Sequence, residues 1–344
     1  MDARTPKLDG PDEDAPPQEP ERASRRSRRF AWIGTAASII LFSLSLVVLW
    51  HIVREVEYAE LRNAFVGATL QQIGLATLFT AVSYLCLTCY DALALRQLKV
   101  KVRYRTTALA SFTSYAVSFT LGFPLLTAGT VRYWVYAREK LSTGKVASLT
   151  VIAGLTFWLG MGLVLGVSLL TQAESLARLT YSNLNFVRLL GLGAAGVVLV
   201  YLVWVSQKRR AVTIQGWRLE LPGFRLTLAQ MLIGAADVCA GAAVLYVLLP
   251  AGHPIPYETF LAIYVFAAML GVASHSPGGL GVFEATILLA LSILPREPVL
   301  GALLLYRIIY YLVPFVFALA LLAGSELANR ISKARAEMRA EEEA

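Results

Sequence analysis

The sequence is poor in charged residues, in histidine and in cysteine. Only 16% of its 344 residues are Asp, Glu, Lys or Arg, and 57% are hydrophobic, whereas an ordinary globular domain carries roughly 25% charged residues. Its three cysteines, Cys86, Cys89 and Cys239, all lie in apolar segments, so we interpret them as packing residues. No motif for a zinc site, a metalloprotease or a catalytic triad occurs, and we expect no metal, no cofactor and no catalytic residue. The mean hydropathy of +0.60 indicates a protein whose solvent is lipid.

The net charge of +8 does not indicate a nucleic-acid partner. The basic residues occur in short clusters beside apolar runs, where they set membrane topology. Residues 1–29 are rich in Pro, Glu, Asp and Arg and have no apolar period, which predicts a disordered cytoplasmic tail. The loop at 96–105 has five cations and no acid, and it is predicted to be cytoplasmic, as are both termini.

Several apolar runs reach the length of about 20 residues that spans a bilayer. We predict an all-α polytopic membrane protein with about six full transmembrane helices in a domain covering 30–325, followed by a charged cytoplasmic helical tail at 326–344. A short β-hairpin is predicted within 211–226 from its alternating pattern. The predicted spans are 30–53, 71–95, 146–170, 187–206, 227–249 and 299–324.

Two further apolar segments are interrupted by backbone-breaking residues. The first, 106–131, contains Gly122 and Pro124 at its centre. The second consists of 257–273 and 280–294, each too short for a comfortable span. We predict two re-entrant helical hairpins that enter from opposite faces, an arrangement typical of inverted-repeat transporters; if the hairpins cross, the total is eight to nine spans. The residues predicted to break the second segment are Pro277, Gly278, Gly279 and Gly281.

Three ionisable residues, Asp237, Glu284 and Arg307, fall near the centre of the predicted membrane. An unpaired charge there costs about 3 kcal/mol, so we expect mutual pairing or a wet cavity. The simplest arrangement places Arg307 between the two carboxylates, with the hydroxyls of Tyr306, Tyr310 and Tyr311 completing the hydrogen bonds. Two interpretations of these charged residues remain: a static ion pair that fixes helix packing, or the lining of a functional translocation path.

Three other polar residues lie beside these segments. His275, next to the second break, either titrates near neutral pH or caps a helix. Arg132, after the first hairpin, either holds a lipid phosphate at the inner interface or acts as a topology determinant. Asp91 is expected to form a surface ion pair near Arg96.

Three motifs resemble the transmembrane part of the lysylphosphatidylglycerol synthase family. They are SHSPGGLGVFE at 274–284, YRIIYYLVP at 306–314, and GTVRY at 129–133 followed by Arg138. The similarity covers about residues 30–325. It implies a multi-pass protein of the bacterial inner membrane, related to the part of the bifunctional members that moves an aminoacylated phospholipid. Because the chain ends about 20 residues past its last predicted span, we expect a stand-alone member without the soluble synthase domain.

The main hypothesis is therefore a translocase, similar to a flippase, for a phospholipid or lipid-linked substrate. In it, Asp237, Glu284, Arg307, His275, Tyr306, Tyr310 and Arg132 line the path or bind the substrate. The alternative is a non-transporting scaffold or accessory subunit of a lipid or envelope biogenesis system. A membrane-embedded enzyme that uses Glu284 or Asp237 as acid and base is a third, weaker hypothesis. The expected partners are membrane lipids. A second copy of the chain and a separate lipid-synthesising enzyme are two further possible partners.

Overall fold

A computed structural model describes residues 67–122, 124–179, 182–207, 211–214, 217–220, 222–274 and 277–342. The predicted tail at 1–29 and the predicted first span at 30–53 lie outside these residues. The described helices, α1 to α11 in chain order, are Leu70–Gln97, Tyr104–Leu121, Pro124–Ala137, Thr143–Thr171, Ala173–Leu179, Leu184–Gln207, Phe224–Leu248, Tyr257–Ala273, Val282–Ala290, Arg296–Tyr306 and Val313–Glu342.

Among the described residues, five helical segments are long and apolar enough to cross a membrane. They are α1, α4, the segment Leu184–Val205 of α6, α7, and the continuous helical segment Arg296–Asn329. Each coincides with a span predicted from the sequence, so the spans at 71–95, 146–170, 187–206, 227–249 and 299–324 are confirmed as long apolar helices. The last segment joins α10 to α11 through a π-helical stretch, Arg307–Leu312, and the helix continues to Glu342.

The predicted β-hairpin is also present. Strand β1, Ala211–Ile214, pairs antiparallel with β2, Trp217–Glu220, and Val212 lies opposite Leu219. The strands connect the end of α6 to the start of α7.

Both predicted breaks interrupt helices. Helix α2 ends at Leu121, Gly122 follows with a φ of 78°, and α3 begins at Pro124 and packs along α2. In the second segment, α8 ends at Ala273 and α9 begins at Val282. Between them Gly278, Gly279 and Gly281 have φ values of 59°, 67° and 83°, which glycine adopts without steric cost. Helices α2 and α3 form the first hairpin, and helices α8 and α9 form the second.

The two hairpins begin at opposite ends of one central helix pair. Helices α1 and α7 pack antiparallel: Gln72, near the start of α1, donates to the carbonyl of Leu249 at 3.1 Å, and Gln230, near the start of α7, lies 3.2 Å from Gln97. The first hairpin follows the end of α1, and the second hairpin follows the end of α7. The chain therefore enters the hairpins from opposite sides of the pair.

The loop between α7 and α8 is held by its own side chains. The Ile255 N–H donates to His253 Nδ1 at 3.3 Å, and the Ile255 carbonyl accepts from Tyr246 at 3.1 Å. The His253 ring lies edge-on to Tyr246, with centroids 5.0 Å apart. Partial burial lowers the pKa of His253, which keeps the imidazole neutral and able to accept at neutral pH.

Helices α4 and α7 cross at two glycines that leave no space between the backbones. A Cβ added to Gly160 would lie 2.3 Å from the Gly234 carbonyl carbon, and one added to Gly234 would lie 2.6 Å from the Thr156 carbonyl oxygen. Such close approach is the means by which small residues bring helices together in lipid, where no hydrophobic force does so.

We predict that Gly160→Ala lowers the melting temperature of the purified protein in detergent, because the new methyl group meets backbone atoms and the crossing has to widen. The expected cost is about 1 to 3 kcal/mol. Gly154→Ala in the same helix is the control, since a Cβ there has no neighbour within 4 Å. Equal melting of the two variants would contradict the role of this crossing.

Candidate functional site

The tips of the two hairpins touch each other near the centre of the helix bundle. A Cβ added to Gly278 would lie 2.9 Å from the carbonyl oxygen of Phe119 and 3.6 Å from that of Thr120. Phe119 and Thr120 are in the last turn of α2, just before its break at Gly122. The residues that break each apolar segment are therefore adjacent in space.

Arg307 closes the second break by contacting both of its sides. Its Nη1 donates to the Gly278 carbonyl at 2.6 Å, and its Nε donates to Glu284 Oε1 at 2.6 Å. Nη2 lies 2.5 Å from the same carboxylate oxygen. The other oxygen of Glu284 accepts the Gly281 N–H at 2.9 Å. One ion pair thus satisfies a donor and an acceptor that the broken helix leaves without helical partners.

The Arg307–Glu284 pair is only partly shielded. The two side chains are 16% and 20% exposed, and the guanidinium carbon lies 4.6 Å from the Tyr311 ring centroid and 5.5 Å from that of Phe283. Aromatic faces stabilise a cation without neutralising it. The protein therefore does not cover this pair completely.

Asp237 lies in a separate, fully enclosed group of hydroxyls. It is 3% exposed, Ser83 donates to its Oδ1 at 2.5 Å, and Tyr90 donates to its Oδ2 at 2.8 Å. Tyr310 lies 2.8 Å from the Ser83 hydroxyl. The predicted placement of Arg307 between two carboxylates is therefore wrong. Arg307 pairs with Glu284, and Asp237 faces α1 instead.

Stacked tyrosine rings connect the two groups. Tyr306 and Tyr310 stack at 5.3 Å with 10° between their planes, and Phe283 and Phe119 stack on the outer sides of this pair at 5.7 and 6.2 Å. The Tyr306 hydroxyl lies 2.7 Å from that of Tyr264. The hydroxyls of Tyr306 and Tyr310 thus bond to Tyr264 and Ser83, and they do not complete the shell of Arg307 as predicted.

The π-helical stretch has a local cause that also fixes α1. Pro314 has no N–H to donate back along the helix, and the Val313 N–H reaches Ile308, five residues earlier. The Tyr310 carbonyl accepts instead from the Tyr84 hydroxyl at 3.3 Å. Irregular turns of this kind recur at functional sites inside helices.

Arg132 and Asp91 form a pair that is buried inside the protein. Arg132 is 1% exposed and Asp91 is fully buried. Arg132 Nε and Nη2 donate to Asp91 at 2.7 to 3.2 Å, and Tyr136 donates to Asp91 Oδ2 at 3.2 Å. The predicted surface pair of Asp91 with Arg96 is wrong, and so is the placement of Arg132 at the lipid interface. Helix α3 continues through Arg132 to Ala137, which turns this arginine inward.

Several residues of the site were missed by sequence reasoning. Ser83 and Tyr90 are seven residues apart, so they lie on one face of α1, and polar residues at that spacing in an apolar span were an available signal. Tyr264 carried no comparable signal, because tyrosine is common in apolar helices. His275 lies outside the described residues.

A family model for the lysylphosphatidylglycerol synthase TM region matches residues 35–318. The chain belongs to this family. The match confirms the resemblance carried by the three motifs, and it includes both hairpins and the Arg307–Glu284 pair. Together with the five apolar spans, it makes the chain a multi-pass membrane protein of the lysylphosphatidylglycerol synthase TM family.

Two of its relatives have nearly the same extent as this chain. Inner membrane protein YbhN of Escherichia coli is 32% identical over 81% of this chain and 88% of its own length. Uncharacterized protein slr0712 of Synechocystis is 30% identical over 85% of this chain and 91% of its own. Phosphatidylglycerol lysyltransferase of Staphylococcus xylosus is 26% identical over 86% of this chain but only 34% of its own length. The family domain is therefore shared by short membrane proteins and a much longer transferase.

We predict that Arg132→Leu destabilises the protein strongly, by about 3 to 5 kcal/mol, because it leaves a buried carboxylate without a partner. The double variant with Asp91→Leu and Arg132→Met should recover most of the loss, since it removes both charges. Thermal unfolding in detergent measures both effects.

The control for this prediction is Arg138→Met. Arg138 pairs with Glu326 at 3.0 Å, but the two side chains are 28% and 31% exposed, so the change should cost less than about 1 kcal/mol. A double variant as unstable as Arg132→Leu would show that the pair does more than satisfy its own charges.

Proposed function

We propose that this protein moves a phospholipid or lipid-linked molecule across the bacterial inner membrane, along a path that passes the touching tips of two re-entrant hairpins. The observation that carries the proposal is the partly exposed Arg307–Glu284 pair at those tips. A charged pair in the interior of a membrane protein, beside a broken helix, is typical of a substrate path.

The arrangement of the helices supports two hairpins that dip into the membrane from opposite faces. The hairpins begin at opposite ends of the α1–α7 pair and meet at their tips. The described part of α8 has 17 residues and α9 has 9, and about 20 are needed for a full span. Irregular backbone is tolerated at this depth only where it contacts protein or a wet cavity.

The distribution of charge supports a cytoplasmic assignment for the end of α1. The last turn of α1 carries Arg96, and the loop to α2 carries Lys99, Lys101 and Arg103. Thr106, at the start of α2, donates to Glu139 at 3.0 Å, so Arg138 lies at the same end of the bundle. Lys and Arg favour the cytoplasmic side of a membrane. The first hairpin would then enter from the cytoplasm and the second from the opposite side.

The pair also suggests which chemistry the site would recognise. A guanidinium binds phosphate through parallel N–H donors, and a nearby carboxylate binds an amine. The phosphate and the amine of a zwitterionic or aminoacylated headgroup would complement Arg307 and Glu284. No chemical change of the lipid is part of the proposal, and a separate enzyme would supply the substrate.

Headgroup exchange in proteoliposomes tests this function. Vesicles containing a headgroup-labelled phospholipid are treated with an impermeant quencher, and wild-type protein should expose the inner-leaflet label faster than protein-free vesicles do. Arg307→Lys keeps the charge but loses the bidentate geometry. It should slow exchange about tenfold, which corresponds to a loss of about 1.4 kcal/mol.

The matched control is Arg188→Gln, which removes an arginine that is 51% exposed on α6. It should exchange lipid at the wild-type rate. Equal exchange in wild-type and protein-free vesicles would remove the proposed function. If Arg307→Lys lowered thermal stability with no exchange in the wild type, the scaffold hypothesis would be favoured instead.

A further inference from the structure

Asp237 differs from the other two acids in the interior of the helix bundle. Asp91 is paired with Arg132, and Glu284 with Arg307. Asp237 forms no ion pair with any described residue, and its hydrogen-bond partners are the neutral hydroxyls of Ser83 and Tyr90. It is nevertheless almost completely buried. An acid with almost no access to water is thus the one without a cation.

The groups that face Asp237 from the surrounding helices are all neutral at ordinary pH. Helix α1 presents Tyr84, Cys86 and Tyr90, and Asp237's own helix presents Cys239. Helix α2 presents Tyr115, helix α8 presents Tyr264, and the π-helical stretch presents Tyr310. Among the described residues, no Lys, Arg or His forms an ion pair or a hydrogen bond with the carboxyl.

Burial and hydrogen bonding act on this carboxyl in opposite directions. An ionised carboxylate in a membrane interior without a cation is unfavourable, and such a group lowers the cost by binding a proton. The two hydroxyl donors at 2.5 and 2.8 Å stabilise the ionised form. A group held between such opposing effects can exist in either protonation state without unfolding its surroundings.

Further hydroxyls lie beyond Ser83 on the side of Asp237 that faces Tyr310 and Gly241. Ser83 contacts both Asp237 and Tyr310. A Cβ added to Gly241 would lie 2.9 Å from the Tyr264 hydroxyl and 3.1 Å from the Tyr310 hydroxyl, so the absent side chain of Gly241 admits both. Tyr264 then contacts Tyr306, the residue before Arg307. Each of these hydroxyls can both donate and accept a hydrogen bond.

From these contacts we infer that Asp237 is the proton-binding site of the proposed translocase, and that lipid movement is coupled to its protonation. A proton taken from water forms an O–H bond with one carboxylate oxygen and neutralises the charge; its release to water restores the carboxylate. A hard cation such as Ca²⁺ fits less well, because it requires six or more oxygen ligands. The coupling rests on the proposed function, whereas the proton site does not.

The proton site is tested by infrared difference spectroscopy of the protein in lipid vesicles. The C=O stretch of a protonated carboxyl should appear when the pH is lowered from about 9 to about 5, which is the interval in which buried carboxyls titrate. The band should be missing in Asp237→Asn. A spectrum without a titrating carboxyl band, or one in which the band persists in Asp237→Asn, would overturn the inference.

Two variants of α1 make this assignment sharper. Ser83→Ala removes one of the donors to Asp237, and it should displace the titration along the pH axis. Thr80→Val is the matched control, because the Thr80 hydroxyl is also buried on α1 but donates to the Ala76 carbonyl of its own helix at 2.9 Å. Equal titrations in these two variants would show that the band does not report on the Asp237 hydroxyl cluster.

The coupling is tested by headgroup exchange under an imposed pH gradient. The gradient should change the wild-type exchange rate by about tenfold, and Asp237→Asn should remove that dependence. If the exchange rate of the wild-type protein does not depend on the gradient, the coupling is overturned. A titrating Asp237 band in vesicles that exchange no lipid overturns the proposed function but leaves the proton site standing, so the two failures are distinguishable.

Discussion

Hydrocarbon cannot form hydrogen bonds, and this constraint governs the centre of the molecule. Wherever a helix is broken inside a membrane, its freed backbone groups need partners within the protein. Arg307 and Glu284 supply such partners, because the guanidinium binds the Gly278 carbonyl and the carboxylate binds the Gly281 N–H. The ion pair and the break therefore depend on each other. The same pair also supplies the partly exposed charge on which the proposed lipid path is based.

The spans and the breaks of this chain could be predicted because their signals are local. Hydropathy over about 20 residues gave the five described spans, and glycine or proline near Gly122 and Gly278 gave the two interruptions. The boundary of the first hairpin was less accessible. The prediction ended it at Val131, although α3 continues to Ala137, and that difference accounts for the wrong placement of Arg132. The first predicted span, 30–53, is not among the described residues.

The pairing of the charged residues could not be predicted from composition or spacing. Depth along a span is readable from sequence, but the direction in which a helix face points depends on its neighbours. Asp237 is buried among the helices, but α7 turns it towards Ser83 and Tyr90 on α1 and not towards Arg307. Asp91 and Arg132 are 41 residues apart, and the packing of both α1 and α3 on α2 brings them together. Of the three interior acids, two are thus paired with arginines and one is bound by hydroxyls.

The glycine crossing of α4 and α7 has a mechanical consequence. With backbone against backbone at Gly160 and Gly234, the two helices have no flexible side chains between them to absorb sliding or rotation. Sliding or rotation of one helix against the other at this contact would therefore bring backbone atoms into collision. Because α7 also carries Asp237, the position of this carboxyl is tied to the crossing, and we expect that any opening of the proposed path involves the hairpins more than the α4–α7 pair.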